Sequence, residues 1–104
     1  MSVLSVTFHT IESELQNWNN FVKTDLIKII ENLYDAEKYI LSEVETEILT
    51  EGKNTNLLIV FENQQKREEF LSAELVNISE RIAQKFGENV MIFVTKLNPF
   101  QQKI

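Results

Sequence analysis

The sequence predicts an α+β fold in which two helices and four strands follow one another as strand, helix, strand, strand, helix, strand. Three observations carry this. Two segments repeat large apolar residues at helical spacing, and four others show period-two or unbroken apolar runs. The 104 residues also hold only two Gly and one Pro, which leaves little room for loops. With 43% hydrophobic residues, seven Phe and one Trp among them, a packed core is expected and disorder is not. The whole span 1–104 reads as one domain.

Val3 to Thr10 alternates, with Leu4, Val6 and Phe8 on one side and Val3, Ser5, Thr7 and His9 on the other. The first set is the core face. The second is small and polar but uncharged, which suits a lined cavity or a half-buried interface better than open water. A helix then starts at Thr10 or Ser13, where Glu12 and Glu14 suit the positive end of its dipole and Ser13 and Gln16 have capping-box spacing. Leu15, Trp18, Val22, Leu26, Ile29 and Leu33 form its stripe, widened by Phe21 and Ile30, and Asn32 marks its stop.

Alternation returns from Tyr39 to Leu49. Ile40, Ser42, Val44, Thr46 and Ile48 share one face; Tyr39, Leu41, Glu43, Glu45 and Glu47 share the other. Carboxylates gathered on one face predict an edge strand with a wet side. Thr50 to Thr55, which includes Gly52, reads as the hairpin turn. The next strand holds Leu57-Leu58-Ile59-Val60-Phe61, an unbroken apolar run that marks burial on both faces. A second helix opens at Asn63 as N-cap, carries Leu71, Leu75, Ile78, Ile82 and Phe86, and closes at Gly87. Val90 to Leu97 is the last strand, with Val90, Ile92 and Val94 opposite Met91 and Phe93; Pro99 ends it, and a short tail follows to Ile104.

This order is the ferredoxin-like pattern: a four-stranded antiparallel sheet with both helices on one face. The other face stays open, so the doubly buried strand needs a second cover. The residues expected there are Leu57, Ile59 and Phe61, or on the other parity Leu58 and Val60, with Ile92 and Val94 of the last strand. A second copy packed sheet to sheet is the simplest cover, because soluble monomers do not leave such patches exposed.

A net charge of −6 and no basic run longer than Lys66-Arg67 disfavour nucleic acid and anionic membranes as partners. The absence of cysteine excludes disulfides, thiol nucleophiles and Cys-type zinc sites. Met1 to Val6 does not resemble a signal peptide, and no apolar run approaches membrane-spanning length, so a cytoplasmic location is expected. No phosphate loop, nucleophile elbow or catalytic triad order occurs, and neither a cofactor nor a metal is expected. His9 is the sole histidine. On the polar face of the first strand it is placed for proton transfer or ligand contact, or more simply for a structural hydrogen bond at a strand end. Trp18 is a candidate pocket wall, although a Trp within an apolar stripe is ordinarily core. Tyr34 and Tyr39 bracket the entry to the second strand and complete the candidate ligand set. Glu43, Glu45 and Glu47 lack the turn geometry that converges ligands on a cation, so they read as a solvated face.

Several segments together resemble a small uncharacterised bacterial family, catalogued as domain of unknown function number 4286. They are Ser5-Val6-Thr7 in the first strand, Glu14-Leu15-Gln16-Asn17-Trp18 with Phe21 three residues on, and Arg81-Ile82-Ala83-Gln84-Lys85-Phe86-Gly87 before the last strand. The resemblance runs from about Val3 to Leu97. It implies a dimeric α+β barrel, in which two ferredoxin-like subunits pack sheet to sheet; that superfamily includes cofactor-free monooxygenases and haem-degrading proteins. Family members carry His-Ile-Pro late in the first helix, where this chain reads Thr24-Asp25-Leu26-Ile27-Lys28, so no role of that histidine carries over. The expectation is a non-enzymatic homodimer that binds a small ligand or a protein partner. The alternatives are a small cofactor-independent, monooxygenase-like enzyme using His9 with a tyrosine, or a stand-alone regulatory module.

Overall fold

The computed structural model describes residues 1–45 and 51–103. Strand β1 spans Ser2–Thr10, β2 Ala36–Glu43, β3 Lys53–Phe61 and β4 Val90–Leu97. They form one antiparallel sheet in the order β2-β3-β1-β4, so the first and third strands are central. The expected second strand begins earlier than Tyr39, and its residues Thr46 to Leu49, with Thr50 of the turn, lie outside the described residues, as does Ile104.

Helix α1 is one run, 15–31, entered by a 3-10 turn at Glu12–Glu14. It comprises an α-helix Leu15–Phe21, a π-helical turn Val22–Leu26 and an α-helix Ile27–Glu31. Helix α2, 64–86, repeats this plan with Gln64–Glu69, a π-helical turn Phe70–Glu74 and Leu75–Phe86. At each turn an amide bonds five residues back, Ile27 to Val22 and Leu75 to Phe70. A hydroxyl serves each disturbed ladder. Thr24 donates to the Asn20 carbonyl and Ser72 to the Glu69 carbonyl, each being the third residue of its turn.

The helix ends follow local chemistry with one exception. Asn63 is extended (φ −150°) and its side chain accepts from the Lys66 amide at 2.9 Å, while Gly87 at φ 59° takes the chain out. The capping box expected at Ser13 and Gln16 does not form. Ser13 already lies inside the 3-10 turn, and an N-cap side chain needs an extended residue outside the helix.

Both helices cover one face of the sheet. Leu4, Val6 and Phe8 of β1 and Leu57, Ile59 and Phe61 of β3 are fully buried against them, with Trp18, Phe21, Leu26 and Ile30 of α1 and Phe70, Ile78, Ile82 and Phe86 of α2. Trp18 centres an aromatic cluster, with ring centroids 5.4 Å from Phe8, 5.6 Å from Phe21 and 5.6 Å from Phe86. At the far end Arg67 is buried and pairs with no carboxylate among the described residues. Its Nη1 donates to the Val3 carbonyl at 3.1 Å and the Leu97 carbonyl at 3.2 Å, closing the end of the β1–β4 ladder.

The dimer-face expectation is corrected here. Leu57, Ile59 and Phe61 lie wholly inside the subunit, because Leu57 pairs with Val6 and Ile59 with Leu4, whose side chains face the helices. Ile92 pairs with Phe8 and Val94 with Val6, which puts both on the helix side as well. Leu58 and Val60 are therefore the β3 residues on the open face. The side of β2 expected to be wet is likewise the helix side, where Tyr39 pairs with Ile59 and Leu41 packs on the core.

Candidate functional site

The open face divides into two halves, and the division follows from strand register. Toward the start of β1, Val3 pairs with Val60 and Leu97, and Leu58 pairs with Ile40 and Ser5. That half is mainly apolar, with Lys38 beside Val60 at the β2 edge and Ser5 and Thr95 at its border with the other half. Toward the end of β1, Thr7 pairs with Asn56 and His9 with Asn54, and Ser42 of β2 extends the Asn56 row. That half is polar, and Met91 and Phe93 of β4 flank it. Ile40, Phe93, Met91 and Leu97 are 61%, 54%, 47% and 41% exposed.

The polar half is internally bonded. The Asn56 amide donates to Ser5 Oγ at 2.8 Å and to Thr7 Oγ1 at 3.2 Å. Each of these hydroxyls accepts from Asn56 and so keeps its own hydrogen for another acceptor. His9 Nδ1 lies 2.8 Å from Asn54 Oδ1; with the amide oxygen accepting, Nδ1 holds the proton and Nε2 is an acceptor. Asn54 thus fixes both the ring plane and the tautomer. Apart from His9 this half is made of hydroxyls and amides. Those hydroxyls and amides can exchange hydrogen bonds with a neutral ligand and carry no charge themselves.

A glycine holds the histidine in place. Gly52 has φ 82°, and a Cβ there would lie 3.1 Å from His9 Nε2 and overlap the Thr10 carbonyl oxygen. Its amide donates to the Glu12 carboxylate at 3.0 Å, which ties the β3 entry to the start of α1. Any side chain at 52 would push the strand entry away from the ring.

The four candidate ligand residues do not converge. Trp18 is buried, and its indole N–H donates to Thr55 Oγ1 at 3.0 Å, so it belongs to the core between sheet and helices. Tyr34 is fully exposed beyond α1. Tyr39 lies on the helix side, paired through Ile59 with Leu4, which is five residues from His9 along β1, or about 17 Å. The structure therefore assembles no pairing of His9 with a tyrosine within one subunit. Asn54 and Asn56, which share the open face with His9, were not among the residues the sequence singled out, although both share the alternation parity of Leu58 and Val60. Among the described residues, no group of three His, Asp or Glu side chains is placed to hold a metal ion, and no helix is long and apolar enough to cross a membrane.

The family model for Domain of unknown function (DUF4286) matches residues 1–100. No curated protein matches the chain. Among solved structures, a dimeric ferredoxin-like protein from an uncultured marine organism is similar, with TM-score 0.69 at 11% identity over 100% of this chain and 99% of that one. A candidate antibiotic biosynthesis monooxygenase from Deinococcus radiodurans also gives TM-score 0.69 at 11% identity, covering 100% and 97% of the two chains. HapK from Hahella chejuensis gives 0.66 at 6% identity, covering 100% and 97%. At these identities the likeness shows the ferredoxin-like fold.

Proposed function

The chain belongs to the Domain of unknown function (DUF4286) family, and from that premise we propose that it is a non-enzymatic homodimeric binding domain acting as one unit over 1–104. In this reading two subunits close sheet to sheet, their apolar halves seal the contact, and their polar halves bound a cavity for a small neutral ligand. The observation that carries it is the division of the open face. Ile40, Leu58, Val60, Met91, Phe93 and Leu97 place apolar surface on this face that water disfavours, at roughly 25 cal/mol per Å². The Ser5, Thr7, His9, Asn54 and Asn56 side chains interrupt that patch where a purely adhesive surface would be apolar throughout. The similar fold of a dimeric ferredoxin-like protein supports the pairing.

The test is a thermal-shift screen of neutral polar metabolites on wild type, His9→Ala and Asn56→Leu. A ligand that raises the Tm of wild type and loses its effect in both variants supports the reading. A crystal structure in which Ile40, Leu58 and Phe93 fill the interface and leave no cavity beside His9 overturns the ligand site. A second reading rests on the fixed His9 tautomer. With Nδ1 engaged by Asn54, Nε2 is the ring nitrogen left to take a proton from a substrate in the same cavity, as in a cofactor-independent enzyme. Turnover that disappears in His9→Ala, with ligand binding retained, would favour it over simple binding.

A further inference from the structure

A groove of about 530 Å³ lies between the two helices, in the layer away from the open sheet face. Its floor is apolar, with Ile29 from α1 and Ile78 from α2, and four charged side chains line it: Asp25, Lys28, Glu74 and Arg81. Opposite charges gathered in one groove ordinarily pair. Among the described residues the ion pairs are Lys66 with Glu62 and Lys96 with Glu68, neither of them here. Asp25 Oδ1 lies 2.8 Å from the Thr24 hydroxyl and shares its one hydrogen with the Asn20 carbonyl, but the Lys28, Glu74 and Arg81 side chains make no hydrogen bond or ion pair with any described residue. Both carboxylates sit within the π-helical turns, Asp25 in Val22–Leu26 and Glu74 in Phe70–Glu74, and such turns recur at functional sites. Glu74 is the costly member, because partial burial and the neighbouring Asp35 hold its carboxyl above the ordinary range.

We propose that this groove binds a linear zwitterion of the ω-amino acid class, its ammonium on Glu74 and its carboxylate on Arg81. The spacing selects the class. Glu74 and Arg81 stand two turns apart on the same helix, about 10 Å along its axis. An α-amino acid carries its two charges around a single carbon and reaches one pole at a time. An aliphatic chain with a charge at each end spans both poles and lies on Ile29 and Ile78. This site is separate from the sheet face, so its test stands whether or not two subunits pair.

The experiment is calorimetric and NMR titration of the full chain with ε-aminocaproate, with hexylamine, caproate and leucine as controls. The expected result is saturable binding with Kd on the order of 1 mM, since each ion pair in a solvent-open groove contributes little. Glu74→Gln and Arg81→Met should each weaken it about three- to fivefold, and the three controls should bind no better than those variants do. Absence of saturable binding, equal binding by hexylamine or caproate, or unchanged affinity in both variants would each overturn the proposal.

Discussion

Replacing Trp18 by Phe tests whether this side chain holds the core or walls a pocket. The indole is buried against Phe8, Phe21 and Phe86, and its N–H reaches Thr55 Oγ1 at 3.0 Å. The Phe ring keeps part of the aromatic packing but leaves a void where the second indole ring stood. It also removes the buried donor. A net hydrogen bond contributes about 1 kcal/mol, and a partly collapsed void adds about 1–2 kcal/mol, so Trp18→Phe should cost about 2–3 kcal/mol. Thr55→Val leaves the indole N–H unpaired and should cost about 1–3 kcal/mol. In the double variant neither group is orphaned, so its cost should fall short of the sum by about 1 kcal/mol. Urea unfolding followed by far-UV circular dichroism measures all three. A loss below about 0.5 kcal/mol for Trp18→Phe, or strict additivity of the pair, would refute the assignment to the core.

Arg67→Met should destabilise by about 2 kcal/mol in the same assay, because two strand-end carbonyls lose a charge-assisted donor while relief of the buried charge offsets only part of that loss. Gly52→Ala should cost at least about 2 kcal/mol and shift the His9 ring resonances, since it combines positive φ with overlap on the Thr10 carbonyl. Glu74→Gln should raise Tm slightly at neutral pH and lose that advantage in acid. Folding raises the Glu74 pKa above its ordinary 4.5, so the native state resists ionisation and stability falls as pH climbs through and beyond that value. The amide cannot ionise and escapes the penalty. A Tm gain that persisted at acid pH would place its origin elsewhere.

Much of the fold was legible because pattern and period agree with the structure. Alternation in Val3 to Thr10 and the stripes of both helices reflect burial in one period each. The misplacement of the open face had a specific cause. An unbroken apolar run carries no parity, so Leu57 to Phe61 alone cannot say which side meets the helices. Extending the count back through Asn56 and Asn54 supplies the parity, since these polar residues share a face with Leu58 and Val60. The π-helical turns also left a trace. Buried residues step from Phe21 to Leu26 and from Phe70 to Leu75, five positions each time, where a regular helix steps three or four. A stripe completed with Val22 and Leu71 smooths over that step. Arg67 left no trace, because a charged residue in a first helical turn looks the same whether it meets water or strand-end carbonyls. For the candidate site, His9 was visible as a lone titratable group on an uncharged face. Its partnership with Asn54 depends on the β1–β3 register, which no local pattern states.

Sheet-to-sheet pairing is the central claim, and the oligomeric mass in solution tests it most directly. Light scattering on a sizing column at micromolar concentration should give twice the 12.2 kDa chain mass. Phe93→Glu, which sets a charge on the open face at the β4 edge without touching the core, should give the single-chain mass with the fold retained. A wild-type protein that elutes at 12.2 kDa under these conditions would contradict the claim.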